Sequence, residues 1–143
     1  MWRDYMKKFI KCEFNSDLKN VIVSRGIISS FFMDEDVDIA IVNEVKTMVS
    51  EAVTNAIIHG YKEKNGVVSL ELQYEDKRLE VMIEDKGCGI ENVTKAREPL
   101  YTTQNEKERA GLGFTIMEIF SDNMEVISKI NEGTCVKLTK LIA

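Results

Sequence analysis

Glu51 and Asn55 stand one helical turn apart in the segment Glu51-Ala-Val-Thr-Asn55, and at about 100° per residue a helix places them side by side at the margin of an apolar stripe. A carboxylate there can take a proton from an attacking hydroxyl. A neutral amide oxygen beside it can ligate a hard cation that also holds phosphate oxygens. His59, a further turn along, extends the same edge. Downstream, Asp85-Lys-Gly-Cys-Gly89 leaves the end of an alternating stretch and enters irregular chain. Asp85 can accept a hydrogen bond from an exocyclic amine, a group that adenine offers and guanine does not at that edge, while Gly87 and Gly89 permit close backbone approach. A third segment, Gly111-Leu112-Gly113, precedes the helical run Phe114-Thr-Ile-Met117. A glycine turn that opens a helix presents unpaired N–H groups and the positive end of the helix dipole to an anion. Residues 98–110 include Thr102, Thr103, Lys107 and Arg109, hydroxyls and cations suited to a lid over phosphates.

Each segment alone has a plainer reading. An isolated Glu and Asn form a solvated polar margin, Asp-x-Gly-x-Gly is a strand-to-loop turn, a glycine pair is a hinge into a core helix, and a charged loop is simply solvated. Chance rarely supplies all of them in this order. Together they describe a nucleotide pocket without a Walker-type loop, and they point to ATP.

The elements that must position these groups follow from periodicity. Residues 9–14 predict an opening strand, and apolar residues at helical spacing predict a helix over 16–32 with Ser16 as its cap. The acidic cluster 34–38 suits the start of a second, long helix that stops at Gly60, with Val45, Met48, Val49, Ala52, Val53 and Ala56 in its apolar stripe. Alternation over 68–74 and 79–83, joined by Glu75-Asp76-Lys77, predicts a hairpin. Residues 86–113 are irregular, with a short helix near 91–97; a helix over 115–120 and a strand pair over 125–130 and 134–141 close the chain. Strands clustered in pairs with helices between the pairs predict an α+β two-layer sandwich rather than a doubly wound parallel sheet.

With 143 residues, 44% of them hydrophobic, the chain suits one domain spanning 1–143. Its net charge of −5, from 24 acidic and 19 basic residues, argues against a nucleic-acid backbone as partner. Cys12, Cys88 and Cys135 are odd in number and lack metal-ligand spacing, which suits reduced thiols rather than disulfides or zinc. No apolar run approaches the roughly 20 residues of a membrane span, and the start of the chain lacks a signal-peptide centre, so a cytoplasmic location and no membrane partner are expected.

The ordered set of motifs resembles the GHKL superfamily of Bergerat-fold ATPases, which includes type II topoisomerases, histidine kinases, mismatch-repair ATPases and the anti-sigma-factor serine kinases. The runs Val49-Ser-Glu-Ala-Val-Thr-Asn-Ala-Ile-Ile-His-Gly-Tyr61, Pro99-Leu-Tyr-Thr-Thr103 and Gly113-Phe-Thr-Ile-Met-Glu118 look closely like the sporulation branch of those kinases. The resemblance covers nearly the whole chain. It implies a two-layer α/β sandwich with a mixed, mostly antiparallel sheet and helices on one face. It further implies Glu51 as general base for phosphoryl transfer from Mg2+-bound ATP, Asn55 as magnesium ligand and Asp85 as adenine reader. Gly87, Gly89, Gly111, Leu112 and Gly113 would cradle the nucleotide, with Thr102, Thr103 and Arg109 in the lid. The implied activity is that of a protein serine/threonine kinase which phosphorylates a serine of a STAS-domain anti-anti-sigma protein. Its ATP-bound homodimer would also hold a sporulation sigma factor inactive, with Arg25 touching both protein partners. Cys88, between two glycines, is a candidate for oxidation. Alternatives are a stress-response (sigma B-like) anti-sigma kinase, a nucleotide-gated binding switch with little kinase activity, and a detached half of a histidine kinase. The single histidine, His59, lies in the helix of Glu51 and Asn55, which argues against the last of these.

Overall fold

Alternating apolar and polar residues make the strands β1 (Lys8–Asn15), β2 (Val67–Glu75), β3 (Arg78–Asp85), β4 (Asn123–Lys129) and β5 (Gly133–Leu141). The computed structural model describes residues 7–62, 64–98 and 113–142. Its strands form a five-stranded sheet in the order β1-β2-β3-β5-β4. Every pairing is antiparallel, so no parallel pair of the kind a mixed sheet would contain occurs among the described residues. One face carries continuous apolar rows. Cys12, Leu70, Ile83, Val136 and Val126 form one row, and Ile10, Leu72, Val81, Leu138 and Met124 form the next.

Helices α1 (Lys19–Phe31), α2 (Ile39–Asn55) and α4 (Gly113–Phe120) pack on that side, while the four-residue α3 (Val93–Ala96), in the chain after β3, buries no residue. α2 is central. It packs between α1 and α4 and against β3, and its Val45, Met48, Val49 and Val53 are fully buried. At its end the ladder widens into one π-helical turn, Ala56–Gly60, a distortion that tends to mark functional sites.

Two helix starts differ from the sequence reading. Ser16 does not cap α1. Its hydroxyl donates to the Lys64 carbonyl at 2.8 Å and accepts from Gly66 N–H at 3.0 Å, while Asp17 accepts from Lys19 N–H at 2.9 Å. Of the acidic cluster, only Asp38 caps α2, accepting from Ala40 N–H at 2.8 Å, a bond worth about 1 kcal/mol. Asp34 instead pairs with Lys8 at 2.7 Å, and Glu35 with the same lysine at 3.7 Å. The β2–β3 turn is as expected, with Asp76 and Lys77 both at positive φ, the conformation that matches the twist of a tight hairpin. No helix among the described residues is long and apolar enough to cross a membrane.

Candidate functional site

The C-terminal end of α2, the loop after β3, the start of α4 and the β4–β5 turn surround a cavity of about 800 Å³. Asn55, Asp85, Gly89 and Gly113, from the three motif segments, all line it, together with His59, Asn92, Lys95, Phe114 and Asn131. Glu51 is half-buried on α2, one turn before Asn55 and next to the wall residue Ala52. Arg25 is apart from the cavity. It is held on the α1–α2 seam, where its guanidinium donates to Ser50 Oγ at 3.1 Å, and Ser50 is the neighbour of Glu51. Thr102, Thr103, Arg109, Gly111 and Leu112 lie outside the described residues.

Asp85 ends β3 on the buried face, opposite Thr134, and only 6% of it is exposed. Burial pushes its carboxyl up to about 6, and neighbouring Glu84 adds to the rise; hydrogen bonds from the N–H groups of Gly87 and Thr134 hold it back. Its Oδ1 accepts from Gly87 N–H at 2.9 Å. Gly60 lies close to the same carboxylate, and a Cβ there would come within 2.8 Å of Oδ1. Gly87 serves chain packing: a Cβ there would lie 2.1 Å from the Gly60 carbonyl oxygen, and Gly87 does not line the cavity. Gly89, at φ +75°, faces the Lys129 carbonyl oxygen, 2.1 Å from where a Cβ would sit. Cys88 is half-buried in the cavity wall and its thiol donates to the His59 carbonyl at 3.1 Å.

Several contacts that hold this loop could not be read from the sequence. Tyr61 Oη accepts from Lys86 N–H at 2.8 Å and donates to the Val67 carbonyl at 2.6 Å. Ser128 Oγ accepts from Ile90 N–H at 2.7 Å and lies 2.8 Å from Thr134 Oγ1. Cys88 is gripped from both sides, its N–H donating to Gly60 at 2.8 Å and its carbonyl accepting from Asn131 N–H at 2.7 Å. The turn at 131–133 leads into β5 beside Thr134, but only the pairing of β5 with β3 brings Thr134 opposite Asp85. The other contacts exist only once the π-helical turn and the β4–β5 turn meet the loop.

A buried carboxylate with acceptor capacity, a side-chain amide and a helix start facing one cavity suit a nucleotide with its base at Asp85. Magnesium keeps several waters and takes further ligands from phosphates, so a single protein amide such as Asn55 fits it better than a preformed cage would. No group of three or more His, Cys, Asp or Glu suited to a metal occurs among the described residues.

Residues 14–140 match the family described as histidine kinase-like ATPase domain. The chain is 43% identical over 132 residues to an anti-sigma F factor from Clostridium kluyveri, covering 92% of this chain and 93% of that protein. It is 45% identical over 136 residues to an anti-sigma F factor from Anoxybacillus flavithermus, covering 94% and 93%. Among solved structures, the RsbU and RsbW domains of Rv1364c from Mycobacterium tuberculosis share the fold, with a TM-score of 0.68 at 14% identity. That match covers 93% of this chain and 31% of the solved one.

Proposed function

The chain belongs to the histidine kinase-like ATPase domains and, within them, to the anti-sigma F factors, and from that premise we propose that it is a nucleotide-controlled serine kinase as well as an anti-sigma factor. With ATP bound it holds a sporulation sigma factor inactive, and it phosphorylates a serine of a STAS-domain anti-anti-sigma partner. The observation that carries this reading is the convergence of Asn55, Asp85 and the start of α4 on one cavity, with Glu51 a single turn away on α2. Identity of 43–45% to proteins named anti-sigma F factor supports the sporulation branch over the stress-response one. We place it as a cytoplasmic homodimer built from a single ATP-binding domain.

Phosphoryl transfer asks a protein for positioning and charge neutralisation more than for covalent chemistry. Asp85 accepts from the exocyclic amine of adenine and fixes the base. Asn55, in the cavity wall at the end of α2, would offer its amide oxygen to the magnesium. Magnesium, when bound, neutralises charge on the phosphate oxygens. Glu51 takes the proton of the partner's seryl hydroxyl as its oxygen bonds to the γ-phosphorus, and the bond from that phosphorus to the bridging oxygen breaks to release ADP. Arg25, on the seam beside Ser50, gives a docked partner a contact one residue from the base.

The test is phosphate transfer from labelled Mg·ATP to a purified STAS-domain partner. Wild type should label a partner serine, and Glu51→Gln and Asn55→Ala should each lose at least about a hundredfold in rate, the scale of a general base, with Glu51→Gln still binding ATP. Full activity in Glu51→Gln would remove Glu51 from the role of base. A second reading, a nucleotide-gated switch in which binding dominates, is favoured by the attachment of Arg25 to α2, which ties the partner contact to the nucleotide helix. Sigma-factor capture with a non-hydrolysable ATP analogue separates the two: full capture without turnover means that occupancy suffices.

A further inference from the structure

We propose that Tyr61 is a positioning residue for base recognition, its hydroxyl setting where the loop after Asp85 enters the cavity; this rests on Asp85 being the group that reads the base. β2 and β3 pair antiparallel in a register that matches Ser69 with Glu84. Continued by two residues, that register would bring Val67 opposite Lys86. The ladder stops short of this pair, and the Tyr61 hydroxyl stands between the two backbones instead. It accepts from Lys86 N–H at 2.8 Å and donates to the Val67 carbonyl at 2.6 Å. An inserted hydroxyl holds the strand ends further apart than a direct N–H···O bond does. The splay releases the chain at Lys86 from the sheet, and Gly87 can then fold back to donate to Asp85 Oδ1 at 2.9 Å.

Tyr61 is itself firmly held. It is 8% exposed, and its ring lies against Gly66, where a Cβ would come within 2.2 Å of Cε1. It follows the π-helical turn, whose Gly60 contacts the Asp85 carboxylate and accepts from Cys88 N–H at 2.8 Å. The turn and the phenol thus act on the loop together, at the carboxylate and at the next peptide. Tyr61 does not line the cavity and acts only through Asp85 and its loop.

Tyr61→Phe keeps the ring and removes the hydroxyl. Lys86 N–H is then either unpaired or drawn to Val67, and both outcomes move the peptide that follows Asp85. The experiment measures dissociation constants of Mg·ATP and Mg·GTP for wild type, Tyr61→Phe and Asp85→Asn, with hydrogen exchange of backbone amides in each. In Tyr61→Phe the preference for ATP over GTP should fall by about fivefold or more, the scale of one lost hydrogen bond. Exchange at Lys86 should quicken while Leu72 and Val81 in the sheet stay protected, which separates a local change from general destabilisation. If Asp85→Asn loses the preference and Tyr61→Phe retains it within about twofold, with folding intact by the Leu72 and Val81 amides, the proposal is overturned. If Asp85→Asn itself retains the preference, the reading of Asp85 fails, and the inference built on it fails too. Should Tyr61→Phe not fold, Gly60→Ala, which pushes on Oδ1 directly, takes its place: retained preference there overturns positioning by this turn.

Discussion

A carboxylate that is 6% exposed resists ionisation, and for Asp85 this gives a pH dependence of defined sign. Its folded-state value is raised from 3.8 to about 6, chiefly by burial. Below the unfolded value both states are protonated and the group costs nothing. As pH rises from about 4 to 6 the unfolded chain ionises first, so stability is lost across that window, by roughly 3 kcal/mol at most, and stays lost above it. Asp85→Asn does not titrate. Its stability relative to wild type should therefore improve between pH 4 and pH 7.5 in urea denaturation, while its ATP binding falls; the same offset at both pH values would contradict the burial argument. In wild type, ATP binding should weaken as pH falls through about 6, because a protonated carboxyl loses acceptor capacity. At this scale spacing placed the residues: Glu51 and Asn55 lie one helical turn apart on α2, and Asp85 ends β3. Tyr61 and Ser128 were illegible because their partners, Lys86 and Ile90, are distant in sequence and meet them only through tertiary packing.

Between elements, the ion pair of Arg97 with Glu118 ties the end of α3 to α4. Arg97 Nε donates to Glu118 Oε1 at 2.8 Å, and a terminal guanidinium nitrogen contacts the same oxygen. Lys95 and Ala96 on one side and Gly113 and Phe114 on the other line the cavity, so the pair sets the spacing of two walls. Its groups are 32% and 40% exposed, which limits its worth to about 1 kcal/mol. Arg97→Ala or Glu118→Ala should weaken ATP binding by about two- to fivefold in calorimetry at low salt, with less effect at high salt and partial recovery in the charge-exchanged double variant. Unchanged affinity would make the pair a surface ornament. Lys140 closes the other end of α4, donating to the Phe120 carbonyl at 2.5 Å and pairing with Glu44 of α2 at 3.1 Å. The elements themselves were legible from period and turn chemistry. Their ends were less so, because Ser16 has a stronger partner in Gly66 than in a helix terminus, and the π-helical turn leaves the apolar stripe of α2 unbroken.

For the whole molecule, a ligand that binds only the folded chain stabilises it by mass action. Mg·ATP at about a hundred times its dissociation constant should add about 2.7 kcal/mol, seen as a rise in melting temperature. Glu51→Gln should keep that rise and Asp85→Asn should lose most of it, which distinguishes a residue of chemistry from one of binding. The α+β class was readable from paired strands, but the placement of β5 between β3 and β4 was not, since alternation marks a strand without choosing its neighbour. That placement has a consequence for biosynthesis. β5 comes last in sequence among the described strands, yet it supplies the interior partner of β3 and brings Thr134 to Asp85. A nascent chain exposes the bare edge of β3 and an incomplete cavity wall beside Asp85 until residues 133–141 have left the ribosome. A chain that ends before residue 133 lacks Thr134 beside Asp85 and the interior partner of β3, and it should bind Mg·ATP more weakly than the full chain in calorimetry.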